Sequence, residues 1–281
     1  MRGRVRPLVW AGAAVLAVLI GLASWTELNH AASLSTGSDM DAYWNAAIRL
    51  REGGPLYAPG LPTDSGLYRY APWFAYAWIP LTYLPKGAVL LGWMTLCLGA
   101  AIASLAPLLR RGPAGWATIA LLLPFQLEGA AYGNVQPLLV LALLWGLPRR
   151  SGPFWVALAA SLKAAPVLLA VVYAGRGEWR RAGLVLVLTG LLVAPILLFD
   201  LSGYSTEIGG GQMSLLTVSP VLWAAVGLAA AVAAWALART RYGTLAGAVV
   251  LILALPRFLL YEISFVVVGL ADGARRRAQR A

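Results

Sequence analysis

Asp39, Arg69, Gln136, Lys163, Gln212 and Arg257 are the side chains of this sequence that could do chemistry together. A carboxylate within hydrogen-bond reach of a hydroxyl can take its proton as a general base. Cations in a dry, preorganised site hold a departing anion far better than they would in water. Such a set suits transfer of a group from an anionic leaving group to a hydroxyl. The six residues are far apart in the chain, so a fold must gather them.

The elements that could do so are apolar. The chain is 60% hydrophobic and 12% charged, with a mean hydropathy of +0.74, whereas a soluble domain carries about 25% charged residues. Apolar runs cover 8–25, 88–109, 115–127, 135–147, 151–162, 164–175, 183–199, 218–238, 243–256 and 258–271. Most of the basic residues fall at alternate breaks: Arg2, Arg4 and Arg6, then Arg110 and Arg111, Arg149 and Arg150, and Arg176, Arg180 and Arg181. Arg239 and Arg241, then Arg275, Arg276, Arg277 and Arg280 complete the series. Lys and Arg are retained on the cytoplasmic side, while acidic residues contribute little to that rule. The carboxylates nevertheless concentrate at the opposite breaks, with Glu178 and Asp272 as the exceptions. They need another reason to be there, and a site on the outer face supplies one.

This pattern predicts an all-α, polytopic transmembrane helix bundle of about ten to eleven membrane helices. It forms a single domain over 1–281, with both termini in the cytoplasm and the site extracytoplasmic. Several runs are too short to cross alone, which implies broken helices meeting a water-filled cavity. The segment 71–84 reads as re-entrant or interfacial, because as a crossing it would put the arginine pairs outside. The first run has a basic flank but no small-x-small cleavage site, and reads as a retained anchor.

The net charge of +11 is spread over short loops without a stripe, which argues against nucleic acid. Cys97 is the only cysteine, so there is neither a disulfide framework nor metal-ligand spacing. Gly209-Gly210-Gly211 is not followed by a phosphate-loop Lys-Ser/Thr and reads as flexibility over a substrate entrance. No metal or cofactor is expected.

In the first outer loop, a helix over 42–52 should start at the S-x-x-D box Ser38–Asp41 and stop at Gly53-Gly54-Pro55. Its stripe of Tyr43, Trp44, Ala46, Ala47 and Leu50 suits a helix lying in the membrane interface. Asp39 and Asp41 point about 200° apart on a helix, so one of them faces the cavity. The capping box accounts for Asp41 and leaves Asp39 as the base or as a helix-terminal carboxylate favoured by the macrodipole, with Asp41 as second candidate for the base. Lys163 interrupts two apolar runs, which marks either a site at membrane depth or a snorkelling turn residue. Arg257 follows the helix breaker Pro256 and either grips a phosphate or pairs with Glu262. Arg69, among Tyr68, Tyr70 and Trp73, fits sugar stacking and an aromatic belt equally. Asn134 and Gln136 could bond a ligand or neighbouring helices, with Glu128 beside them in the same outer turn. His30 reads as a loop residue.

The motifs resemble a known family. Asp39-x-x-x-Tyr43-Trp44-x-Ala46-Ala47, Gly53-Gly54-Pro55-Leu56-Tyr57 and Tyr70-Ala71-Pro72 leading to Pro80-Leu81 and Leu84-Pro85 come first. Tyr132-Gly133-Asn134-Val135-Gln136, Leu162-Lys163-x-x-Pro166, Gln212-x-Ser214-Leu215 and Pro256-Arg257-x-x-x-Tyr261-Glu262 follow in order. Together they are similar to glycosyltransferase family 87, C-type membrane enzymes related to polyprenyl-phosphate-mannose-dependent mannosyltransferases. The resemblance implies inverting transfer of a hexose, mannose in the family, from a polyprenyl-phosphate-linked donor to a glycolipid or glycan acceptor at the plasma membrane. It places the family's acidic residue at Asp39. On that basis Lys163, Arg257 and Arg69 would bind donor phosphate. Tyr43, Asn134, Gln136, Gln212, Tyr261 and Glu262 would bind substrate. A flippase or carrier for lipid-linked sugars, or an inactive donor-binding paralogue, would use the same cations without the transfer.

Overall fold

A computed structural model describes residues 38–57, 67–204 and 214–278 with Val18 and Leu22, for Ser38 and 273–278 by backbone alone. Every regular element among them is helical. Helix α1 (Ser38–Arg51) precedes α2 (Pro72–Trp78), which tightens into a 3-10 turn (Ile79–Tyr83). Then come α3 (Lys86–Leu105, continued by a 3-10 turn to Arg111), α4 (Pro113–Ala131), α5 (Gln136–Gly146) and α6 (Gly152–Leu162). A 3-10 turn (Ala165–Leu169) opens α7 (Ala170–Gly175), and α8 (Trp179–Val193) closes in another (Ala194–Leu198). Helices α9 (Leu215–Val218), α10 (Pro220–Leu237) and α11 (Gly243–Leu253) lead to a 3-10 turn (Leu260–Phe265) and α12 (Val266–Ala278).

The breaks have a covalent cause. At Ile79-Pro80, Ala106-Pro107 and Ala194-Pro195 an α-helix gives way to 3-10 geometry, and Ala165-Pro166 opens the turn before α7. Proline has no N–H to give the carbonyl four residues back, and the tighter turn avoids its ring clash. Pro124 stays within α4.

Three helical stretches are long and apolar enough to cross a membrane: Lys86–Arg111, Trp179–Leu198 and Pro220–Leu237. The last two are only 11% and 6% buried, so their surface is what lipid would cover. Helices α5, α6 and α11 and the segment Ala165–Gly175 are apolar but short. Eleven residues of α-helix rise about 16 Å, half of a hydrocarbon layer of about 30 Å. Their ends therefore bring polar groups to membrane depth, inside a bundle whose core is built on Leu139, Val140 and Leu143 of α5, Val156 and Ala159 of α6, and Val267 of α12.

The first apolar run, 8–25, lies outside the described residues apart from Val18 and Leu22, both helical. The segment 71–84 forms α2 and its 3-10 turn, which together are too short to cross. It lies against α1, with Phe74 and Trp78 packed on the ring of Tyr43. That contact alters the reading of α1. Its stripe is covered by protein rather than by the membrane interface: Met40, Tyr43, Ala46 and Ala47 expose no surface. A helix bearing several aromatic and alanine positions finds denser packing against α2 than lipid headgroups offer.

Several of the basic residues at the helix breaks are structural. Arg181 bonds Glu178 (2.6 Å) and the carbonyls of Arg149 (2.6 Å) and Leu147 (3.3 Å). Arg176 donates to the carbonyl of Ala238 (3.0 Å) and to Thr244 (3.0 Å), Arg239 to that of Gly175 (3.2 Å), and Arg111 to that of Leu270. The carbonyls of Leu147, Gly175 and Ala238 lie at helix C-termini, where a cation satisfies the exposed oxygens and the macrodipole.

Helix α12 approaches α11 backbone to backbone at Gly269, where a Cβ would sit 2.3 Å from Leu245 Cα. Gly269→Val is expected to cost about 1–3 kcal/mol through overpacking, seen as a lower thermal unfolding midpoint in detergent.

Candidate active site

The site is built on the turn between α4 and α5. Gly133 adopts φ +67°, a left-handed conformation that favours glycine, and a Cβ there would meet Met40 Cβ at 3.1 Å. This turn aims two groups at the start of α1. The Tyr132 carbonyl accepts from the Asp39 N–H (3.0 Å), and Asn134 Nδ2 donates to Asp39 Oδ2 (2.7 Å). Asn134 Nδ2 also donates to the hydroxyl of Tyr261 (3.2 Å). Asn134 Oδ1 accepts from the Gln136 N–H (2.8 Å), one of the orphan donors at the start of α5. Gln136 Nε2 in turn reaches Ser264 Oγ (3.1 Å).

Lys163 follows the last turn of α6 in an extended conformation. Its Nζ lies 3.2 Å from Glu262 Oε1 and 4.5 Å from the centre of the Tyr261 ring. The other oxygen of Glu262 accepts from the Leu259 N–H (3.2 Å). Glu262 therefore pairs with Lys163, a partner 99 residues away, and not with Arg257. Lys163 was expected at the donor phosphate, but its charge is already met.

Two other cations are differently placed. Arg69 Nε and Arg257 Nε are buried, and neither has a hydrogen-bond partner among the described residues. Both guanidinium groups, with Lys163, act electrostatically on Asp39, and Arg69 and Arg257 repel each other. Burial pushes the Asp39 carboxyl above the usual carboxylate range; the Asn134 hydrogen bond, then Lys163, Arg257 and Arg69, oppose the shift without cancelling it. Burial and the neighbouring Arg257 likewise lower the affinity of Arg69 for its proton, though a guanidinium stays charged at neutral pH.

The structure thus brings Asp39, Asn134, Tyr261, Lys163, Glu262, Arg69 and Arg257 to one end of the bundle. Asp41 turns away and forms a half-exposed ion pair with Lys86 (2.8 Å), so a partner across the loop accounts for it; the side chain of Ser38, its expected capping partner, lies outside the described residues. Tyr43, expected to touch substrate, is fully buried beneath the site. It donates to the Tyr70 hydroxyl (3.1 Å) and accepts from the Val135 N–H (3.3 Å), within an aromatic cluster with Tyr70, Phe74, Trp78 and Trp93. Gln212 and Gly209–Gly211 lie outside the described residues. Tyr70 and Ser264 belong to the network and were missed. Tyr70 had a signal in its Tyr-Ala-Pro motif, whereas a serine in an apolar run has none. No cluster of three His, Cys, Asp or Glu side chains that could hold a metal occurs among the described residues.

Residues 68–206 match the model of glycosyltransferase family 87. The match supports membership at the family level and, with the apolar helices, a membrane glycosyltransferase-like role. It covers Arg69, Asn134, Gln136 and Lys163, while Asp39, Arg257, Tyr261 and Glu262 lie outside it. No curated protein and no solved structure matches the chain.

The side chains of Lys163 and Glu262 are 12% and 6% exposed, so removing one strands a buried charge. Lys163→Met alone is expected to destabilise by about 3–5 kcal/mol, and Lys163→Met with Glu262→Gln by clearly less. Thermal unfolding of the purified variants measures both.

Proposed function

We propose that this chain transfers a hexose from a polyprenyl-phosphate-linked donor to a hydroxyl of a glycolipid or glycan acceptor, with Asp39 as general base. The sugar is mannose and the outcome inverting by the family resemblance. One observation carries the reading: two partly buried guanidinium groups, each with a buried Nε uncommitted among the described residues, act on the same carboxylate.

The charges favour this donor. Lys163 and Glu262 neutralise each other, which leaves Arg69 and Arg257 against Asp39, a surplus of one positive charge. A sugar phosphodiester carries one negative charge and balances it. In the reaction the acceptor oxygen bonds to the anomeric carbon and its proton passes to Asp39. The bond from that carbon to the phosphate oxygen breaks, releasing a phosphate monoester with up to two negative charges. Asp39 has lost its charge as the phosphate gains one, so the two arginines remain matched throughout. In a low-dielectric site any imbalance would be costly. A diphosphate-linked donor would start one negative charge in excess. The departing phosphate is a stable anion, so a single carboxylate suffices, unlike the pair used by glycoside hydrolases.

An apolar groove of about 500 Å³, lined by Leu215, Val218, Ile252, Leu253, Leu255 and Phe258, adjoins Arg257 in sequence and offers room for part of the donor's tail. The arginine end belongs in the cytoplasm by the retention rule, which puts the site on the extracytoplasmic side of the plasma membrane. A flippase for the same lipid would present anion-binding groups along both halves of its path. At the far end Arg111, Arg176, Arg181 and Arg239 are instead engaged with helix carbonyls, which favours the one-sided enzyme.

Reconstituted protein with radiolabelled polyprenyl-phosphate mannose and a panel of acceptors tests the reading. Product supports the transferase, translocation across vesicles a flippase, and binding alone an inactive paralogue. Asp39→Asn should cut kcat by about 10²-fold or more while the fold survives; undiminished turnover removes Asp39 from the mechanism. Because the base must be ionised, activity should be lost as pH falls through a value above the ordinary carboxylate pKa of about 3.9. For orientation, Glu52→Cys and Arg150→Cys in a Cys97→Ser background should react with an impermeant thiol reagent from opposite faces of intact cells, Glu52→Cys from outside.

A further inference from the structure

The amide of Asn134 has its orientation settled by its neighbours. The Gln136 N–H can only donate, so the atom facing it at 2.8 Å is Oδ1, and Nδ2 must face the other way. Both Nδ2 hydrogens are used, one on Asp39 Oδ2 (2.7 Å) and one on the Tyr261 hydroxyl (3.2 Å). The backbone beneath is equally constrained, with the Asn134 N–H on the Gly129 carbonyl (2.9 Å) and the left-handed Gly133 before it. Asn134 is 1% exposed. No donor remains with which it could hold a sugar, one of the two roles the sequence left open.

We propose that Asn134 is a positioning residue: its amide clamps one oxygen of Asp39 and leaves the other oriented toward the acceptor hydroxyl. This rests on the reading of Asp39 as the base. Asp39 Oδ1 accepts no hydrogen bond from the described residues, so the clamp divides the carboxylate into a held oxygen and a working one. The same amide bonds Tyr261, whose ring lies against Lys163, so the base is tied to the Lys163–Glu262 pair by a chain of direct contacts.

The groups acting on Asp39 come from every neighbouring element. Lys163 lies at the end of α6, Arg257 in the connection after α11, and Arg69 in the first loop. The hydroxyls of Tyr43, Tyr70 and Tyr261 are near enough to feel the charge of Asp39, and those of Tyr70 and Tyr261 also feel Glu262. Among the described residues, Asn134 is the one side chain that donates a hydrogen bond to the carboxylate. A bond to the ionised form favours that form, so its loss should let Asp39 take up a proton at higher pH.

Two variants of the full, reconstituted chain test this. Asn134→Asp keeps the oxygen that serves the Gln136 N–H but replaces the donor to Asp39 with a repelling acceptor; Asn134→Ala removes both. In each, kcat should fall by about 100-fold or more with donor KM changed less than about threefold. In Asn134→Ala the acid limb of the pH–rate profile should rise by about one unit. A raised KM with kcat and acid limb unchanged would make Asn134 a substrate ligand and overturn the proposal. A lower kcat with an unmoved acid limb and a depressed unfolding midpoint would make its role merely structural, with the same consequence. Labelling of Asp39 by a hydrophobic carbodiimide, followed by mass spectrometry against pH, needs no turnover. Its midpoint should rise by about one unit in Asn134→Ala, and an unchanged midpoint refutes the clamp. If the wild type transfers no sugar while that midpoint still shifts, the transferase reading fails and the hold on Asp39 stands.

Discussion

A charge removed from water must be matched, and the site follows from that constraint. An uncompensated ion in a medium of low dielectric is so costly that it changes its protonation state or finds a partner. Lys163 and Glu262 find each other, and Asp39 is pressed toward its neutral form by burial and held back by Asn134 and three cations. Arg69 and Arg257 cannot release their protons, so their surplus charge is what an anionic ligand would balance.

Short helices make this arrangement possible. A helix that crosses the whole membrane delivers its ends to water, whereas α5, α6 and α11 stop well before that length. Their ends bring Asn134, Lys163 and Arg257 into a common region inside the bundle, where α1 and α2 close over them. Proline and glycine place the stops: Pro166 and Pro256 follow the ends of α6 and α11, and Gly133 turns the chain between α4 and α5. The aromatic cluster around Tyr43 fixes the height and angle of α1, and thereby of Asp39, two residues into that helix. The distal arginines hold the other ends of the helices together, so the bundle is polar at both ends for different reasons.

Much of this was legible in the chain. Apolar runs at 88–109, 135–147, 151–162 and 243–256 coincide closely with helical segments, because burial of an apolar run is a local property. Polar residues widely separated in sequence do meet in the structure, Asn134 with Asp39 and Lys163 with Glu262. The failures share one cause. The stripe on α1 was assigned to lipid and is covered by protein. Tyr43 was assigned to substrate and lies in an aromatic core. Asp41 was read through its own helix, and it also meets Lys86 from across the loop. In each case the sequence announces an apolar or charged side chain without naming what it meets.

Composition and the placement of arginines and prolines therefore determined that this is a helical, membrane-embedded chain, and they marked which side chains were too costly to be incidental. Only the tertiary structure decided their partners. It joined Lys163 to Glu262 across 99 residues and Asn134 to Asp39 across 95, and it left Arg69 Nε and Arg257 Nε buried without a hydrogen-bond partner among the described residues. Helical periodicity and hydropathy are properties of neighbours in sequence. Which buried charge is satisfied, and by what, depends on contacts between distant segments that exist only once the chain has packed.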